Sequence, residues 1–460
     1  MTLITSISGI RGTIGGTTGN NLTPVDIVKF ASAYGMWLRA HSSKERLKVV
    51  VGRDARISGK MLQNLVVHTL TAMGIDVVVL GLSTTPTVEI AVPLENADGG
   101  IILTASHNPK QWNALKLLNA KGEFLNASEG QQLLDIAETG HFTFADVDYL
   151  GKLSYRDDYI DIHSNSILNL PLVDVQKIQN ARFKVVVDAV NSTGGIAVPP
   201  LLEKLGVEVV KLYCEPNGEF PHNPETLAAH LSEISELVVR EKADLGIVVD
   251  PDVDRLALVC NDGSMFGEEY TLVACADYVL RKTPGNTVSN LSSSRALRDI
   301  TEKYGETYAA AVGEVNVVAL MKKHHAVIGG EGNGGVIYPP LHYGRDALVG
   351  IALFLTHLAE TGGTSKALRD RYPTYFMCKK KVELTPQLDV ASILERLKAD
   401  YASENVTTTD GLKIDFPKSW VHLRKSNTEP IIRVYTEAPS QHEADTLAKR
   451  FIEEIRKIAQ

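Results

Sequence analysis

Apolar residues gather along this chain in short, dense runs, separated by longer stretches that carry one greasy face. The runs at 47–52 (LKVVVG), 76–80 (DVVVL), 183–188 (FKVVVD), 208–212 (EVVKL), 245–250 (LGIVVD), 287–291 and 307–312 predict strands. Most are rich in Val and Ile without strict alternation, as strands covered on both faces are. Helical periodicity fills 58–73, 195–205, 271–280 and 294–304. Strands that alternate with helices predict α/β units with parallel or mixed sheets. The pattern recurs three times.

After Pro373 the rhythm changes. A strand (KKKVEL), a helix over 390–401, hairpin strands around Asp410-Gly411, a strand (IIRVYTEA) and a terminal helix to Ile458 follow one another. An Asp-Gly pair suits a tight hairpin turn. The expected fold class is α/β: three related α/β domains with mixed sheets over 1–151, 155–258 and 259–371, and a smaller C-terminal α+β domain over 374–460. The 460 residues are more than one hydrophobic core organises.

Charge and composition narrow the classes. A net charge of -8 argues against a general nucleic-acid binder. The clusters Lys322-Lys323-His324-His325 and Lys379-Lys380-Lys381 are short and read as solvated edges. Cys214, Cys260, Cys275 and Cys378 lie far apart, and three sit in apolar runs as buried thiols would. MTLITSISGIRG lacks the basic stretch and apolar core of a signal peptide. No run of 18 apolar residues occurs to span a membrane. The expectation is a cytoplasmic protein.

Four loops carry candidate chemistry. The first is TASHNP, 104–109, after the greasy GGII. Asn108-Pro109 forces a turn, which leaves the Ser106 hydroxyl at a strand's C-terminal end, where open α/β sheets bind ligands. Alone, Ser106 reads equally as a strand-end or helix-capping serine. Neighbours on an extended segment point apart, so His107 is poorly placed as its base, and the G-x-S-x-G elbow is absent. Ser106 therefore reads as a nucleophile or phosphate carrier of another kind.

The second loop is Asp250-Pro251-Asp252-Val253-Asp254-Arg255, closing a very apolar strand. Carboxylates at i, i+2 and i+4 converge if the segment is extended and curves around one ion, and oxygen donors suit a hard cation such as Mg²⁺. An EF-hand needs Gly at the sixth position and Glu at the twelfth, and Arg255 and Asn261 stand there. The third loop, 329–335, contains a formal G-x-G-x-x-G. A dinucleotide fold needs a helix next, but Val336-Ile337-Tyr338-Pro339-Pro340 reads as a strand stopped by prolines. Its Glu331 and Asn333 suit sugar hydroxyls instead. The fourth, Arg424 to Pro430 with Arg433 nearby, combines a charged fork, hydroxyls and backbone N–H groups, as a phosphate requires. Arg11, flanked by Gly9-Ile10 and Gly12, offers one more anion contact.

Together these loops resemble the α-D-phosphohexomutases, the family of phosphoglucomutase, phosphomannomutase and phosphoglucosamine mutase. The resemblance covers nearly the whole chain, with the four motifs in the family's order and spacing. It implies the domains named above around a central cleft, and an isomerase that moves a phosphoryl group within a hexose phosphate. Domain I would carry the phosphoserine loop, domain II the metal loop, domain III the sugar loop and domain IV the phosphate loop. Ser106 matches the serine that carries the phosphoryl group; Lys116 the general acid/base; Arg255 the arginine beside the transferred group; Arg11 the N-terminal I-R-G arginine. His107 belongs to the same catalytic loop. Ser106, Asp250, Asp252 and Asp254 match the Mg²⁺ ligands. Glu331, Asn333, Arg424, Ser426, Asn427, Thr428 and Arg433 match the substrate-binding positions.

The implied reaction interconverts 6- and 1-phosphates through phosphorylated Ser106 and a sugar bisphosphate, which also serves as activator. Lys116 would need a lowered pKa to exchange protons near neutrality. The expected substrate is glucosamine phosphate. A glucose/mannose enzyme of dual specificity is the close alternative, and a metal-dependent phosphatase the distant one. The expected partner is a hexose phosphate, with no nucleic acid and no membrane, on a monomer or homodimer. Two motifs depart from the family at three positions: Asn333 and Gly335 stand where many members have Ser and His in G-E-x-S-G-H, and Ser8 stands where Asp often precedes Gly-Ile-Arg-Gly.

Overall fold

A computed structural model describes the chain apart from residues 1, 7–8, 384–389, 426–430 and 459–460. Ser8, Ser426, Asn427 and Thr428 therefore lie outside the described residues. The chain forms two compact units, Met1–Val279 with Asn333–Leu368, and Leu280–Gly332 with Arg369–Gln460.

The first unit begins with a seven-stranded mixed sheet. Its order is Ile4–Ser6, Gly9–Thr13, Trp112–Leu118, Gly99–Leu103, Lys48–Arg53, Asp76–Leu82 and Leu153–Tyr155. The last four run parallel, and the first three add on antiparallel. The unbroken apolar runs have a direct cause in the period-2 geometry of a strand. Val49, Val51, Val77, Val79, Ile101 and Leu103 enter one core with the helices Pro24–His41 and Gly59–Ala72. Val50, Val78, Leu80 and Ile102 enter a second core on the other face, with the helix Thr85–Leu94.

A four-stranded sheet follows, in the order Leu256–Cys260, Leu245–Val249, Lys184–Asp188 and Glu208–Leu212. Leu245–Val249 pairs parallel with Lys184–Asp188 and antiparallel with Leu256–Cys260, so residues 250–255 form the turn of a buried hairpin. In the second unit, Thr307–Ala310, Thr287–Asn290 and Ile328–Glu331 run parallel. The C-terminal sheet there is wholly antiparallel: Phe376–Glu383, Ile431–Ala438, Trp420–Lys425, Leu412–Asp415 and Asn405–Thr407. The helices Val390–Asp400 and Gln441–Ile458 share its core. Asp410-Gly411 lies in the Asn405–Thr407 to Leu412–Asp415 hairpin, with Gly411 at φ 76.

The predicted elements are found, with two differences. The helix expected over 294–304 is only Ala296–Thr301. Asn290 accepts from the Ser292 amide and Ser294 from the Ala296 amide, so polar side chains hold the preceding turns out of the helix. The strand Trp112–Leu118 goes beyond the sequence expectation, because its Ala, Leu and Lys favour helix locally and only pairing with Gly9–Thr13 and Gly99–Leu103 makes it a strand. No helix among the described residues is long and apolar enough to cross a membrane. The four cysteines are thiols outside any disulfide, and Cys260, Cys275 and Cys378 are buried.

One hydroxyl ties a covering helix to two site-bearing strands. The buried Tyr34 hydroxyl reaches Leu118 O at 2.6 Å and Gly100 O at 3.1 Å. Tyr34→Phe keeps the ring and removes the donor. The loss should be about 1 kcal/mol, seen as a fall of roughly 2–4 °C in the first calorimetric transition; an unmoved transition would show that the hydroxyl contributes nothing.

Candidate active site

Ser106 lies just past the Gly99–Leu103 strand and adopts a left-handed backbone, φ 48. A non-glycine residue in that region costs on the order of 1–3 kcal/mol and persists only where its surroundings over-determine it. They do here. The Ser106 amide donates to Thr104 Oγ1 at 2.9 Å, and Thr104 Oγ1 donates to Asp54 at 2.6 Å. Asp54 also holds Arg56 at 3.0 Å, with both side chains fully buried. The Arg56 guanidinium then donates to the carbonyls of Ser106, Asn108, Pro109 and Trp112. One arginine thus gathers the whole loop. Sequence reasoning missed Arg56 and Asp54, since their partners lie about fifty residues away.

The turn also corrects the reading of His107. With Ser106 left-handed rather than extended, the two side chains do not diverge, and His107 Nδ1 is 3.5 Å from Ser106 Oγ. Burial, then Arg255, pushes the His107 pKa down to about 3, so the ring is uncharged near neutrality.

Ser106 Oγ donates to Asp250 Oδ2 at 2.6 Å. The acidic loop is not the extended curve expected from its sequence; Val253 at φ 63 turns it sharply. Asp250 Oδ1 accepts from the Asp254 and Arg255 amides at 3.2 and 3.1 Å. Ser192 and Thr193 hydroxyls hold the Pro251 carbonyl from outside. Asp250, Asp252 and Asp254 are all 0% exposed, with one oxygen of each within 4.8 Å of the others.

Cations and hydroxyls surround this charge. Lys116 Nζ lies 2.7 Å from Asp252 and 3.5 Å from Asp254. Thr85 Oγ1 donates to Asp252 at 2.5 Å. Arg345, which the sequence did not single out, donates to Asp254 at 2.7 Å. Even so, Asp252 Oδ1 and Asp254 Oδ1 have no hydrogen-bond partner. Burial, then Asp254 and Asp252, drives the Asp250 carboxyl well above its usual range. For Asp252 burial acts in the same direction, but Lys116 outweighs it and keeps that group ionised. Buried, orphaned carboxylate oxygens that repel one another fit a divalent oxygen-loving cation.

Lys116 corrects a second expectation. Burial would lower its pKa, but Asp252 and Asp254 overcome that and raise it above the ordinary lysine value. It stands as an ammonium. Arg11 pairs with Ala114 on the neighbouring strand, so Arg11 and Lys116 emerge on the same face of the sheet. Arg255 is half-buried, its Nε 3.8 Å from Asp254.

Other expected residues sit apart from this cluster in the chain. Glu331 ends the Ile328–Glu331 strand, buried, and accepts from Asn290 Nδ2 at 2.8 Å and the Gly313 amide at 3.1 Å. Asn333 Oδ1 accepts from the Gly335 amide at 3.3 Å, and the strand Gly335–Ile337 follows where a dinucleotide fold would need a helix. Arg424 pairs with Arg433 across two antiparallel strands, and Asp410 holds Arg424 at 2.9 Å.

Comparisons with known proteins agree along the full length. Profiles described as phosphoglucomutase/phosphomannomutase alpha/beta/alpha domains I, II and III match residues 3–144, 157–263 and 267–375, and the C-terminal domain profile matches 380–454. The chain belongs to the phosphoglucomutase/phosphomannomutase family. A phosphoglucomutase/phosphomannomutase of Thermococcus kodakarensis is 36% identical over 440 residues, 94% of this chain and 95% of the relative. A phosphoglucosamine/phosphogalactosamine mutase of Sulfurisphaera tokodaii is 32% identical over 460 residues, 98% of each. The crystal structure of a phosphoglucomutase/phosphomannomutase family protein of Burkholderia thailandensis superposes with a TM-score of 0.84 at 26% identity, covering 99% of this chain and 98% of that one. Membership makes this chain a mutase, an isomerase that works by phosphoryl transfer.

The loop architecture generates a test. Arg56→Lys keeps the charge but cannot hold four carbonyls, so mutase kcat should fall by about 10²-fold with KM little changed. An unchanged kcat would mean that the serine loop holds itself.

Proposed function

We propose that this chain is a Mg²⁺-dependent phosphohexomutase in which Ser106 carries the phosphoryl group and glucosamine phosphate is the preferred substrate. The observation that carries the reading is the 2.6 Å contact of Ser106 Oγ with Asp250, inside a buried carboxylate triad. Asp250, Asp252, Asp254 and an oxygen of phosphorylated Ser106 would hold the ion, which when bound neutralises charge on the transferring group.

The chain's own residues supply the rest. The left-handed turn at Ser106, locked by Arg56 and Thr104, presents the carrier oxygen in one orientation. Arg255 and Arg11 offer guanidinium donors to phosphoryl oxygens. In the first transfer the attacking sugar hydroxyl would give up its proton as the Ser106 oxygen, released from its phosphate, gains one; in the second, Lys116, held as the ammonium by its two carboxylates, would donate to the departing sugar oxygen. Neutral His107 adds a ring nitrogen beside the Ser106 hydroxyl. Phosphorylated Ser106 gives its phosphoryl group to a free sugar hydroxyl; the bisphosphate reorients; its other phosphate returns to Ser106, and the isomer leaves. A free sugar bisphosphate would load the serine at the outset. Glu331 and Asn333 would read sugar hydroxyls or an amine. Arg424 and Arg433, like charges set opposite each other, would share the non-reacting phosphate with Ser426, Asn427 and Thr428. Four domains over 1–151, 155–258, 259–371 and 374–460 would carry these parts. Hexose phosphates are charged and stay where they are made, which supports a cytoplasmic enzyme.

The sugar rests on the relatives. The amino-sugar mutase of S. tokodaii supports glucosamine phosphate, whereas the T. kodakarensis relative supports a dual glucose/mannose enzyme. The hydrolase alternative finds no support among them.

Two measurements check the reading. Relative kcat/KM on glucosamine, glucose and mannose 1-phosphates should be highest for glucosamine; turnover of glucose phosphate alone would sink that choice. Chelation should abolish turnover and Mg²⁺ restore it, with free phosphate far below product. Phosphate released in step with substrate loss would mean a hydrolase.

A further inference from the structure

Behind the acidic loop lies a second cluster of ligand-type side chains that phosphoryl transfer does not use. His163, on the helix Tyr159–Leu168, is fully buried. Asp346, at the start of the helix Ala347–Thr361, is also fully buried. His342 lies in the preceding turn with its side chain 12% exposed. His163 Nε2 is 2.8 Å from Asp346 Oδ2, and His342 Nε2 is 3.3 Å from the same oxygen. The three ligand atoms lie within 4.8 Å of one another.

We propose that His163, His342 and Asp346 form a binding site for a divalent first-row transition metal, separate from the carboxylate triad. Two imidazole nitrogens and one carboxylate oxygen favour zinc- or iron-like ions over Mg²⁺, which takes oxygen donors.

The groups behind the three donors match that role. A ligating histidine gives its other ring nitrogen to an outer partner, which fixes its tautomer and orientation. His163 Nδ1 has Thr87 Oγ1 at 2.9 Å, while His342 Nδ1 faces Glu89 Oε2 at 3.4 Å, within ion-pair distance but without a hydrogen bond. Asp346 Oδ1 is occupied by the Leu348 and Val349 amides, at 2.8 and 3.3 Å, which leaves Oδ2 for the ion. With a divalent ion bound, Glu89 and Asp346 would together supply two negative charges to neutralise it out of water. Gly344 permits the approach: a Cβ there would meet Glu89 Oε2 at 1.9 Å and His342 Cε1 at 2.8 Å. The partly exposed edge of His342 gives an entry path.

The site would brace the catalytic loop. Thr87 and Glu89 share the helix Thr85–Leu94 with Thr85, which bonds Asp252. Asp346 follows Arg345, which bonds Asp254. An ion there would clamp both supports, in a structural role.

The test uses the full-length protein, stripped with chelator and titrated with Co²⁺ in excess Mg²⁺. One Co²⁺ per chain should remain, with the visible spectrum and hyperfine signature of imidazole nitrogen ligation. His163→Gln and His342→Gln should each lose it, and Glu89→Gln should weaken it about 10–100-fold. A metal-loaded parent should also unfold at higher temperature than the stripped one. If excess Mg²⁺ displaces all the Co²⁺, or if the parent's spectrum shows oxygen ligands only, the proposal is overturned. The parent's spectrum decides this even if a variant fails to fold. Retention of nitrogen-ligated Co²⁺ in both histidine variants would overturn it equally.

Discussion

Three carboxylates buried in one hairpin turn are the constraint on which the rest of the site depends. At the 4.8 Å outer bound of their separation, each pair of such groups, if both are ionised, would repel by roughly 3–4 kcal/mol at an effective dielectric of about 20, and by more at any shorter distance. A fold that buries them must place compensation around them. It does so with Lys116, Arg345, Arg255, the Thr85 hydroxyl and two backbone amides. Lys116, Thr85 and Arg345 come from parts of the chain far from this loop, while Arg255 and the two amides belong to the loop itself. Much of the first unit's polar interior is therefore arranged to make one concentrated negative charge tolerable.

The compensation is incomplete, and the remainder is chemically useful. Orphaned oxygens on Asp252 and Asp254 leave demand for a cation. The serine that faces Asp250 is held by a separate device, the buried Asp54–Arg56 pair that collects four loop carbonyls. The acidic triad and the serine are thus positioned by independent supports. The double transfer we propose would call for that arrangement: a carrier serine would have to stay still while the sugar turned.

The motif residues were legible because each loop is local. Ser106 and the Asp250–Asp254 spacing announce themselves within a few residues, next to strands whose apolar runs are unmistakable. What the sequence hid is what acts at long range. Arg56 serves a loop about fifty residues on, and Arg345 an aspartate ninety-one residues back. Neither has a motif. The state of Lys116 was misjudged for the same reason: its pKa depends on carboxylates more than a hundred residues away in sequence. The His107 geometry failed locally, because a left-handed serine is an exception to the extended backbone that the residue types suggest.

The central claim is that Ser106, set against the acidic triad, accepts and returns a phosphoryl group. Intact mass of the parent and of Ser106→Ala, after incubation with a hexose bisphosphate and Mg²⁺, tests it most directly. The account predicts a parent heavier by one phosphate, mapped to the peptide containing Ser106, with the label lost on addition of hexose monophosphate and absent from the variant. A parent that stays unphosphorylated, or a variant that takes up the same phosphate, would contradict it.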